Sequence, residues 1–475
     1  MSADVVAIEM VQAAVEAAVQ QNQRDEAPPQ QREEEGVEPQ IAVQAAEPTA
    51  PMPTSGAELG VPMEGDTPSL RTIKGTDIPV LVFLNSGSGG RQGGRLLARF
   101  EQWVGKEQVY DLGQVKSGGA KPEAILQKFA HVKNLRVVAC GGDGTCCWIL
   151  SAMDKVPACR VPVGTMPLGT GNDLSRALGW GPGFTRAMGK ESWLQLVGRA
   201  QPTPLDRWSC MVSLPGGRMP PTFTATGEGS AQSGVFCNYL GIGIEAASLN
   251  AFHEAREANP KVFNGRIKNQ VKMGLLGVGK SGLCPLFCGS APQLAPRLSV
   301  QFRRRESTEW EELALPSRLK TVILVNIPSH AAGRNLWGKH SSRGATPQSF
   351  SDGVLEMTGF HSAGHFGCYL ALSQPGSLLG CSRQTGSTRL AQVAELKIEL
   401  KEPLHMQMDG EPWLQPQSTV HISHSVASMM LQASAMGCVQ CGGTVHPWRG
   451  TCMVLSHGPT LVSLPPRPCH LALAA

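Results

Sequence analysis

Apolar residues follow different patterns in successive parts of the chain. Residues 1–70 are rich in Ala, Pro, Glu and Gln, which predicts a disordered acidic N-terminal segment with at most one helix, over 1–23. Residues 75–204 alternate continuous apolar runs with helix-like stretches, whereas residues 205–425 contain short strand candidates between Gly/Pro turns. Residues 426–475 fit neither pattern, so we expect an unstructured tail.

The stretch 75–204 predicts an α/β nucleotide-binding domain with a parallel sheet. Residues 78–84 form a continuous apolar run, as expected of a strand buried on both faces. Further strands are predicted at 109–112, 135–140 and 157–163. Helices are predicted around 96–100, at 122–129, at 146–153 and up to 178. Strands that alternate with helices indicate a parallel sheet.

Residues 205–425 predict a second, predominantly β domain, which we expect to be sandwich-like. A single helix, at 245–258, interrupts it. The strand candidates are 211–214, 222–226, 234–240, 298–302, 320–325, 354–359, 395–400 and 420–423.

The charge is distributed unevenly. The whole chain carries +4, but residues 1–70 carry −11, which leaves +15 on the remainder. A basic body suits an anionic partner such as nucleotide phosphate or an acidic membrane surface. Nucleic acid is not indicated, because no basic cluster is interleaved with aromatic residues.

The cysteines and the N-terminus bear on the compartment. Most of the fourteen Cys stand among apolar neighbours, as expected of reduced thiols in an intracellular protein. We find neither a signal peptide nor an apolar run long enough to span a membrane. We therefore expect a cytoplasmic protein that associates with membranes transiently, as a peripheral protein.

Three glycine-rich loops each follow a predicted strand of the first domain. They are 85–90, 141–145 and 169–173. Ligands bind outside the carboxyl ends of parallel strands, so the three loops should converge on one crevice. None is a Walker A motif; the one formal match, 274–281, lacks a preceding buried strand and is interpreted as coincidence.

The middle loop, Gly141-Gly142-Asp143-Gly144-Thr145, carries a carboxylate among its glycines. Backbone amides at such a turn bind anions, and Asp143 would repel a phosphate unless a divalent cation lay between them. The loop therefore predicts a magnesium–nucleotide site. A tight strand-to-helix turn capped by Asp or Thr is the alternative.

From these loops onward the chain resembles the diacylglycerol kinase family, over roughly 80–425. The resemblance is carried by the three loops and by the segments 238–246, 336–338, 352–356 and 407–413. Ser86 stands where the family usually has proline, and Glu245 where it usually has aspartate. The chain is most similar to the compact plant-type enzymes, which lack cysteine-rich lipid-sensing domains, and residues 1–70 contain no Cys.

The resemblance implies an enzyme that uses ATP and Mg²⁺ to phosphorylate the primary hydroxyl of 1,2-diacylglycerol, giving phosphatidic acid. It implies that residues 75–204 are the catalytic domain and residues 205–425 the accessory domain. It also implies that the final strands could pack back onto the first domain. The nucleotide-binding candidates are Asn85, Gly87, Gly89, Gly90, Gly141, Gly142, Gly144, Thr145, Gly169, Thr170, Gly171 and Asn172. The catalytic candidates are Asp143, Asp409 and Glu411, and the metal candidates are Asp143 and Asp352.

Each carboxylate in the second half has an alternative interpretation. Asp409 and Glu411 would share a face of an extended strand, and the resemblance makes one of them the general base; Asp409-Gly410 is also a strong hairpin-turn signal. Asp352 resembles a structural metal loop of the family, and a plain Asp-Gly turn is the alternative. Asp173 is expected to cap the following helix, although the resemblance keeps it as a site candidate.

Other functions remain open. A sphingoid or ceramide kinase of the same superfamily, an inactive lipid-signalling scaffold and a soluble-substrate kinase related to NAD kinases are the alternatives. Basic residues at 256–280 surround an apolar stretch and could dock on an anionic bilayer, although a solvated helix face is the default for such a charge run. Cys438, Cys441, His446 and Cys452 have nearly the spacing of a zinc knuckle, but an unstructured tail is favoured.

Overall fold

This computed structural model describes residues 70–88, 92–216, 219–227, 230–258, 293–338, 346–361, 366 and 387–433. All of them belong to one compact unit, residues 65–475. Several predictions lie outside the described residues. They are those for the N-terminal segment, for Gly89 and Gly90, for the 274–281 match, for the basic stretch beyond Arg256 and for the cysteine-containing tail.

The secondary structure of the described residues is as follows. The strands are β1 (Val80–Leu84), β2 (Val109–Asp111), β3 (Arg136–Gly141), β4 (Val163–Pro167), β5 (Gln201–Leu205), β6 (Trp208–Val212), β7 (Thr224–Ala225), β8 (Gln232–Phe236), β9 (Tyr239–Gly243), β10 (Leu298–Arg303), β11 (Glu311–Glu312), β12 (Thr321–Val325), β13 (Leu355–Phe360), β14 (Thr388–Val393), β15 (Glu395–Leu400), β16 (Leu404–Met408), β17 (Glu411–Gln415), β18 (Ser418–His424) and β19 (Ser428–Gln432). The α-helices are α1 (Gln92–Val104), α2 (Pro122–Lys128), α3 (Asp143–Asp154), α4 (Asp173–Ala177), α5 (Ser192–Arg199) and α6 (Ile244–Ala258).

The first sheet confirms the predicted α/β architecture. Its order among the described strands is β2-β1-β3-β4-β19-β5. Strands β1 to β4 are parallel, as is the single β4–β19 pairing, and only the edge strand β5 runs antiparallel to its neighbour. β1 is buried along its whole length, as its uninterrupted apolar sequence predicted. Helices α3 and α4 begin just beyond β3 and β4, so the loops before them share one edge of the sheet.

The second half consists of two antiparallel sheets, which confirms the β-sandwich prediction. Their orders are β11-β10-β15-β18-β6-β8-β7 and β14-β13-β12-β9-β16-β17. Both sheets contribute to one hydrophobic core, for example through Trp208 and Val420 of the first and Leu240 and Val322 of the second. Burial of such side chains between two sheets stabilises the sandwich by about 25 cal/mol for each Å² of apolar surface removed from water.

Two predicted strands are placed differently by the structure. The segment predicted as a strand over 157–163 is a 3₁₀ turn over 157–159, and the strand β4 begins only at Val163. Pro157 suits the start of that turn, where its missing N–H costs no hydrogen bond. The candidate 234–240 is two strands, β8 and β9, which lie in different sheets. The chain crosses between the sheets at Cys237 and Asn238.

The expected tail contains a strand. β19 pairs in parallel with β4 and antiparallel with β5, so residues 428–432 complete the first sheet and the expectation of an unstructured tail from 426 is wrong for them. Met430 and Leu431 are buried there. The partners lie more than 200 residues earlier, so local sequence carries little signal for this strand.

Among the described residues, none of the helices is long and apolar enough to cross a bilayer.

Candidate active site

The loops after β3 and β4 touch backbone to backbone. A Cβ added to Gly169 would lie 2.5 Å from the Cα of Gly142, so neither loop could approach the other with a side chain at this point. The amide of Leu168 donates to the carbonyl of Gly141 over 2.8 Å. The predicted convergence of these two loops is therefore a close packing contact.

Asp143 joins the same two loops through its carboxylate. It accepts hydrogen bonds from the backbone amides of Asp173 (3.0 Å) and Leu174 (2.9 Å), the first residues of α4. Asp143 thus caps a helix that follows thirty residues later, a role the sequence did not predict. Burial, with further contributions from the carboxylates of Asp173 and Asp409, raises the pKa of Asp143 to about 7.

Asn172 holds the third loop in shape. Its side-chain amide donates to the carbonyls of Gly169 (2.8 Å) and Pro182 (2.9 Å), and its backbone is left-handed with φ 53°. Its Oδ1 is buried and has no partner among the described residues. The sequence predicted that Asn172 bonds the nucleotide; in this structure its amide nitrogen orders the loop.

The nucleotide-binding candidates differ in accessibility. Gly87, Gly144 and Thr170 are exposed, whereas Gly141 and Thr145 are buried. Thr145 packs its side chain against Gly141, where no Cβ would fit. The exposed positions lie on all three loops, so each loop retains atoms that a ligand could reach.

The glycine-rich loop after β1 is held by one side-chain amide, that of Asn85, and one carboxylate, that of Asp111. Asn85 Oδ1 accepts from the amide of Gly87 over 3.1 Å. Asp111, at the end of β2, accepts from the amides of Ser86 (3.1 Å) and Gly113 (2.9 Å). The backbone amide of Ser86 therefore donates a hydrogen bond that a proline at this position could not make.

Asp173 connects the α/β half to the β-rich half. It is 1% exposed, and its carboxylate accepts from the hydroxyl of Ser329 (2.5 Å) and from the amides of Gly333 (2.9 Å) and Ala332 (3.2 Å). The hydroxyl of Tyr239 lies 3.5 Å away. Its own amide is bonded to Asp143, and its side chain makes no cap hydrogen bond to α4, so the predicted helix-cap role is wrong and Asp173 instead bridges two segments.

The segment that Asp173 holds has an unusual backbone. Ala331, Ala332 and Gly333 have φ of 46°, 73° and 106°. Left-handed φ costs free energy in alanine, so the segment needs outside contacts to keep this conformation. The hydrogen bonds to Asp173 supply such contacts.

Asp409 lies in a hairpin turn, not on an extended strand. Asp409 and Gly410 connect β16 to β17 with φ of 50° and 92°. The expectation that Asp409 and Glu411 share a strand face is therefore wrong, because a left-handed pair reverses the chain between them. Glu411 opens β17 and is exposed.

The Asp409 carboxylate has four hydrogen-bond donors. The amides of Cys237, Asn238 and Tyr239 donate over 2.8, 2.8 and 3.1 Å. The thiol of Cys147, on α3, donates over 3.3 Å. Burial raises the pKa of Asp409 above its usual value, and the three amides oppose that rise. Asp409 thereby connects the sheet crossing at 237–239 to the helix that begins at Asp143.

A second group of buried polar residues lies beside Tyr239. The ring of Tyr239 packs 4.6 Å from that of His330, centroid to centroid, and His330 Nε2 is 3.5 Å from Glu245 Oε1. Glu245 Oε2 is buried and has no hydrogen-bond partner among the described residues. The charges of Asp173, Asp143 and Glu245 all act on Tyr239, and an unpartnered buried carboxylate oxygen suits a cation.

Asp352 belongs to a separate acidic group. Its Oδ1 accepts from the amide of Val354 over 3.1 Å, as expected of the Asp-Gly turn. Asp206, which the sequence did not single out, accepts from the amide of Gly353 over 2.6 Å and lies 2.9 Å from His424 Nε2. Burial, followed by the charge of Asp206, raises the pKa of Asp352.

Glu356 is the most deeply buried residue of the acidic group that contains Asp352 and Asp206. It is fully buried, and its Oε1 accepts from the side-chain amide of Gln392 over 3.1 Å. Burial raises the pKa of Glu356 to about 8. Of these three acidic residues, only Asp352, through its Asp-Gly step, was signalled by the sequence, and its metal role stays a prediction.

Comparison with known proteins identifies the family. The diacylglycerol kinase catalytic domain matches residues 79–200, and the diacylglycerol kinase accessory domain matches residues 235–412. The chain is 30% identical to diacylglycerol kinase 4 of Arabidopsis thaliana over 391 residues, which cover 72% of this chain and 77% of that protein. It is 32% identical to diacylglycerol kinase 5 of the same plant over 389 residues, which cover 71% and 73%.

Animal relatives are longer. The chain is 33% identical to the probable diacylglycerol kinase 3 of Caenorhabditis elegans over 377 residues, which are 75% of this chain and 44% of the worm protein. The match to the eye-specific diacylglycerol kinase of Drosophila melanogaster covers 23% of the fly protein. Both domains match in order, and the plant relatives match over most of their length. The chain belongs to the diacylglycerol kinase family.

Proposed function

We propose that this protein is an ATP-dependent lipid kinase that transfers the γ-phosphoryl group of ATP to the primary hydroxyl of 1,2-diacylglycerol. The observation that carries the proposal is the meeting of carboxylates from both halves. The charges of Asp173 and Asp409 both act on Asp143. Asp409, from the β-rich half, also accepts from Cys147 of α3, the helix that begins at Asp143. Residues 75–204 would be the catalytic domain and residues 205–425 the accessory domain.

The residues fit a magnesium–nucleotide complex. The pKa of Asp143 is raised by burial and by neighbouring carboxylates, so a divalent cation would relieve the repulsion among them. Glu245 adds a buried, unpartnered carboxylate oxygen. When bound, the magnesium ion would neutralise charge on the transferring phosphoryl group. Asp143 is the candidate ligand, and exposed Gly87, Gly144 and Thr170 are candidates for phosphate contact.

Asp409 is the better candidate for the general base, because its charge acts on the candidate metal ligand Asp143. A carboxylate has about four lone-pair positions, and four donors occupy those of Asp409. The Cys147 thiol is the weakest of these donors, so it is the one that would give way when Asp409 accepts the proton of the lipid hydroxyl. Glu411 is exposed at the start of the next strand and is the second candidate.

The lipid substrate implies contact with a membrane. We infer a cytoplasmic protein that binds transiently to an anionic bilayer surface. Residues 71–475 carry a net charge of about +15, because residues 1–70 hold −11 of a total of +4. Arg256, near the end of α6, is the one described member of the basic stretch proposed to dock.

A radiolabel assay tests the proposal. The purified chain would be given ATP labelled at the γ-phosphate, Mg²⁺, and mixed vesicles containing diacylglycerol, sphingosine or ceramide. We expect labelled phosphatidate, and none without a divalent cation. Label on sphingosine or ceramide alone would identify the sphingoid kinase alternative, and no label on any lipid would favour an inactive scaffold.

A further inference from the structure

Two thiols and a carboxylate lie together beside the proposed base. One ligand atom from each of Cys147, Cys237 and Asp409 lies within 4.8 Å of the other two. The Cys147 thiol donates to Asp409 Oδ2 over 3.3 Å, and the Cys237 sulfur lies within 4.8 Å of both atoms. The Cys237 amide donates to the same oxygen over 2.8 Å. The three side chains come from α3, from the crossing between β8 and β9, and from the β16–β17 turn.

These distances suit a tetrahedral metal ion. Zinc binds thiolate sulfur at about 2.3 Å and carboxylate oxygen at about 2.0 Å, so two such ligands lie about 3.5 Å apart. The Cys147–Asp409 separation is already 3.3 Å. A metal ion could therefore take the place of the thiol proton between these atoms with a shift of a few tenths of an ångström.

A buried, ion-paired guanidinium interacts electrostatically with Cys237 and Cys147. Arg207 is fully buried, and its guanidinium forms an ion pair with Asp154 over 2.6 Å. Burial would lower the pKa of Arg207, but nearby Cys237 and Asp154 raise it above its ordinary value. Cys237 and burial raise the pKa of the Cys147 thiol well above its ordinary value, so a metal ion must itself displace the thiol proton.

Buried cysteines that pack as small apolar residues are the ordinary case. Cys159 and Cys210 fit it, because burial is the cause that raises the pKa of each thiol. Cys147 and Cys237 differ, since they contact each other and a carboxylate. Among the described residues, Cys147, Cys237 and Asp409 are the group of three whose sulfur and carboxylate atoms lie close enough together to hold one metal ion.

We infer that Cys147, Cys237 and Asp409 form a three-ligand site for Zn²⁺ or another thiophilic divalent cation, and that its occupation blocks phosphoryl transfer. Binding releases two thiol protons to solvent, and the fourth position is left for water. The ion would take the Asp409 oxygen that the proposed base needs. The inhibitory part rests on the proposed function, whereas the binding part does not.

Cadmium titration tests the site directly, because the cadmium–thiolate bond absorbs in the ultraviolet and zinc binding does not. The reduced full-length wild type would be compared with Cys147→Ala, Cys237→Ala and the matched control Cys210→Ala. We expect each of the first two variants to bind one equivalent of Cd²⁺ less than the wild type, and the control to bind the same number. Counting the difference separates this site from the cysteines of the C-terminal tail.

Zinc inhibition is measured separately, with excess Mg²⁺ and each variant normalised to its own zinc-free rate. The zinc concentration for half-inhibition should rise about 10-fold or more in both cysteine variants, as expected when a ligand is lost. Circular dichroism would show that each variant is folded. Equal cadmium stoichiometry in all four proteins overturns the inference. A cadmium difference in a chain without lipid kinase activity leaves the site standing and rejects the proposed function.

Discussion

The backbone amide of Asp173 donates a hydrogen bond to the carboxylate of Asp143 over 3.0 Å, while the side chain of Asp173 accepts from Ser329 of the β-rich half. One residue therefore connects the glycine loop after β3 to a segment more than 150 residues later. Two neighbouring carboxylates are held close by this arrangement, and their mutual repulsion is the electrostatic feature that a bound cation would use.

Asp143→Asn removes the charge but keeps one oxygen for the amides of α4. We expect the rate of phosphatidate formation to fall roughly 100-fold or more, because the cation loses its carboxylate. The control is Asp77→Asn, which changes an exposed carboxylate that accepts from Asn134. Initial rates at saturating ATP and Mg²⁺ check the prediction; a rate close to that of the wild type would exclude the metal role of Asp143.

Asp409→Asn and Glu411→Gln distinguish the two candidate bases. Asparagine tolerates the left-handed turn, but its side chain has one acceptor oxygen for the donors that Asp409 satisfies. We expect kcat to fall by about 100-fold or more for Asp409→Asn and by less than about 10-fold for Glu411→Gln. The reverse order would move the base to Glu411.

Asp173→Ala should weaken the connection between the two halves. It leaves the hydroxyl of Ser329 and the amides of Ala332 and Gly333 without their acceptor, so we expect a loss of about 2–4 kcal/mol in the free energy of unfolding. Ser329→Ala removes one donor and should cost about 1–2 kcal/mol. Urea unfolding followed by circular dichroism measures both, and equal losses would argue against the bridging role.

Glu356 should make stability depend on pH. An unfolded chain releases this proton near pH 4.5, whereas burial raises the folded pKa to about 8. The folded state binds the extra proton between these values, so stability falls as the pH rises from about 4.5 to about 8. The Glu356→Gln protein should lack this pH dependence. At alkaline pH its free energy of unfolding should exceed that of the wild type by about 1.4 kcal/mol for each unit by which folding raises the pKa of Glu356. Parallel pH profiles would contradict the prediction.

Asp352→Asn tests whether the acidic group of Asp352 and Asp206 binds a cation. In an Asp143→Asn background, Mg²⁺ or Ca²⁺ should still raise the melting temperature if Asp352 and Asp206 hold an ion, since a ligand that binds the folded state stabilises it. Adding Asp352→Asn should abolish that rise. If divalent cations have no effect in the Asp143→Asn protein, Asp352 serves only as the turn residue that caps Val354.

The sequence predicted the fold where local signals are strong. The apolar run at 78–84 and the glycine loops around Asp143 and Asn172 predicted buried parallel strands with loops at one edge, and the structure has both. Strands β5, β11, β14, β16, β17 and β19 were not predicted. Their residues are partly exposed or pair with segments far away in the sequence. Their conformation therefore depends on burial and on the strand they pair with, more than on the β-propensity of their own residues.

For the site, the sequence by itself determined which residue types are available: glycines where loops must approach, and carboxylates at 143, 173, 352 and 409. Only the tertiary structure decided their contacts. Asp143 caps a helix, Asp173 bridges two halves, and Asp409 meets two cysteines that looked like ordinary buried thiols. The physical reason is that hydrogen bonds and like-charge repulsion act over a few ångströms in space. Separation along the chain does not reveal them.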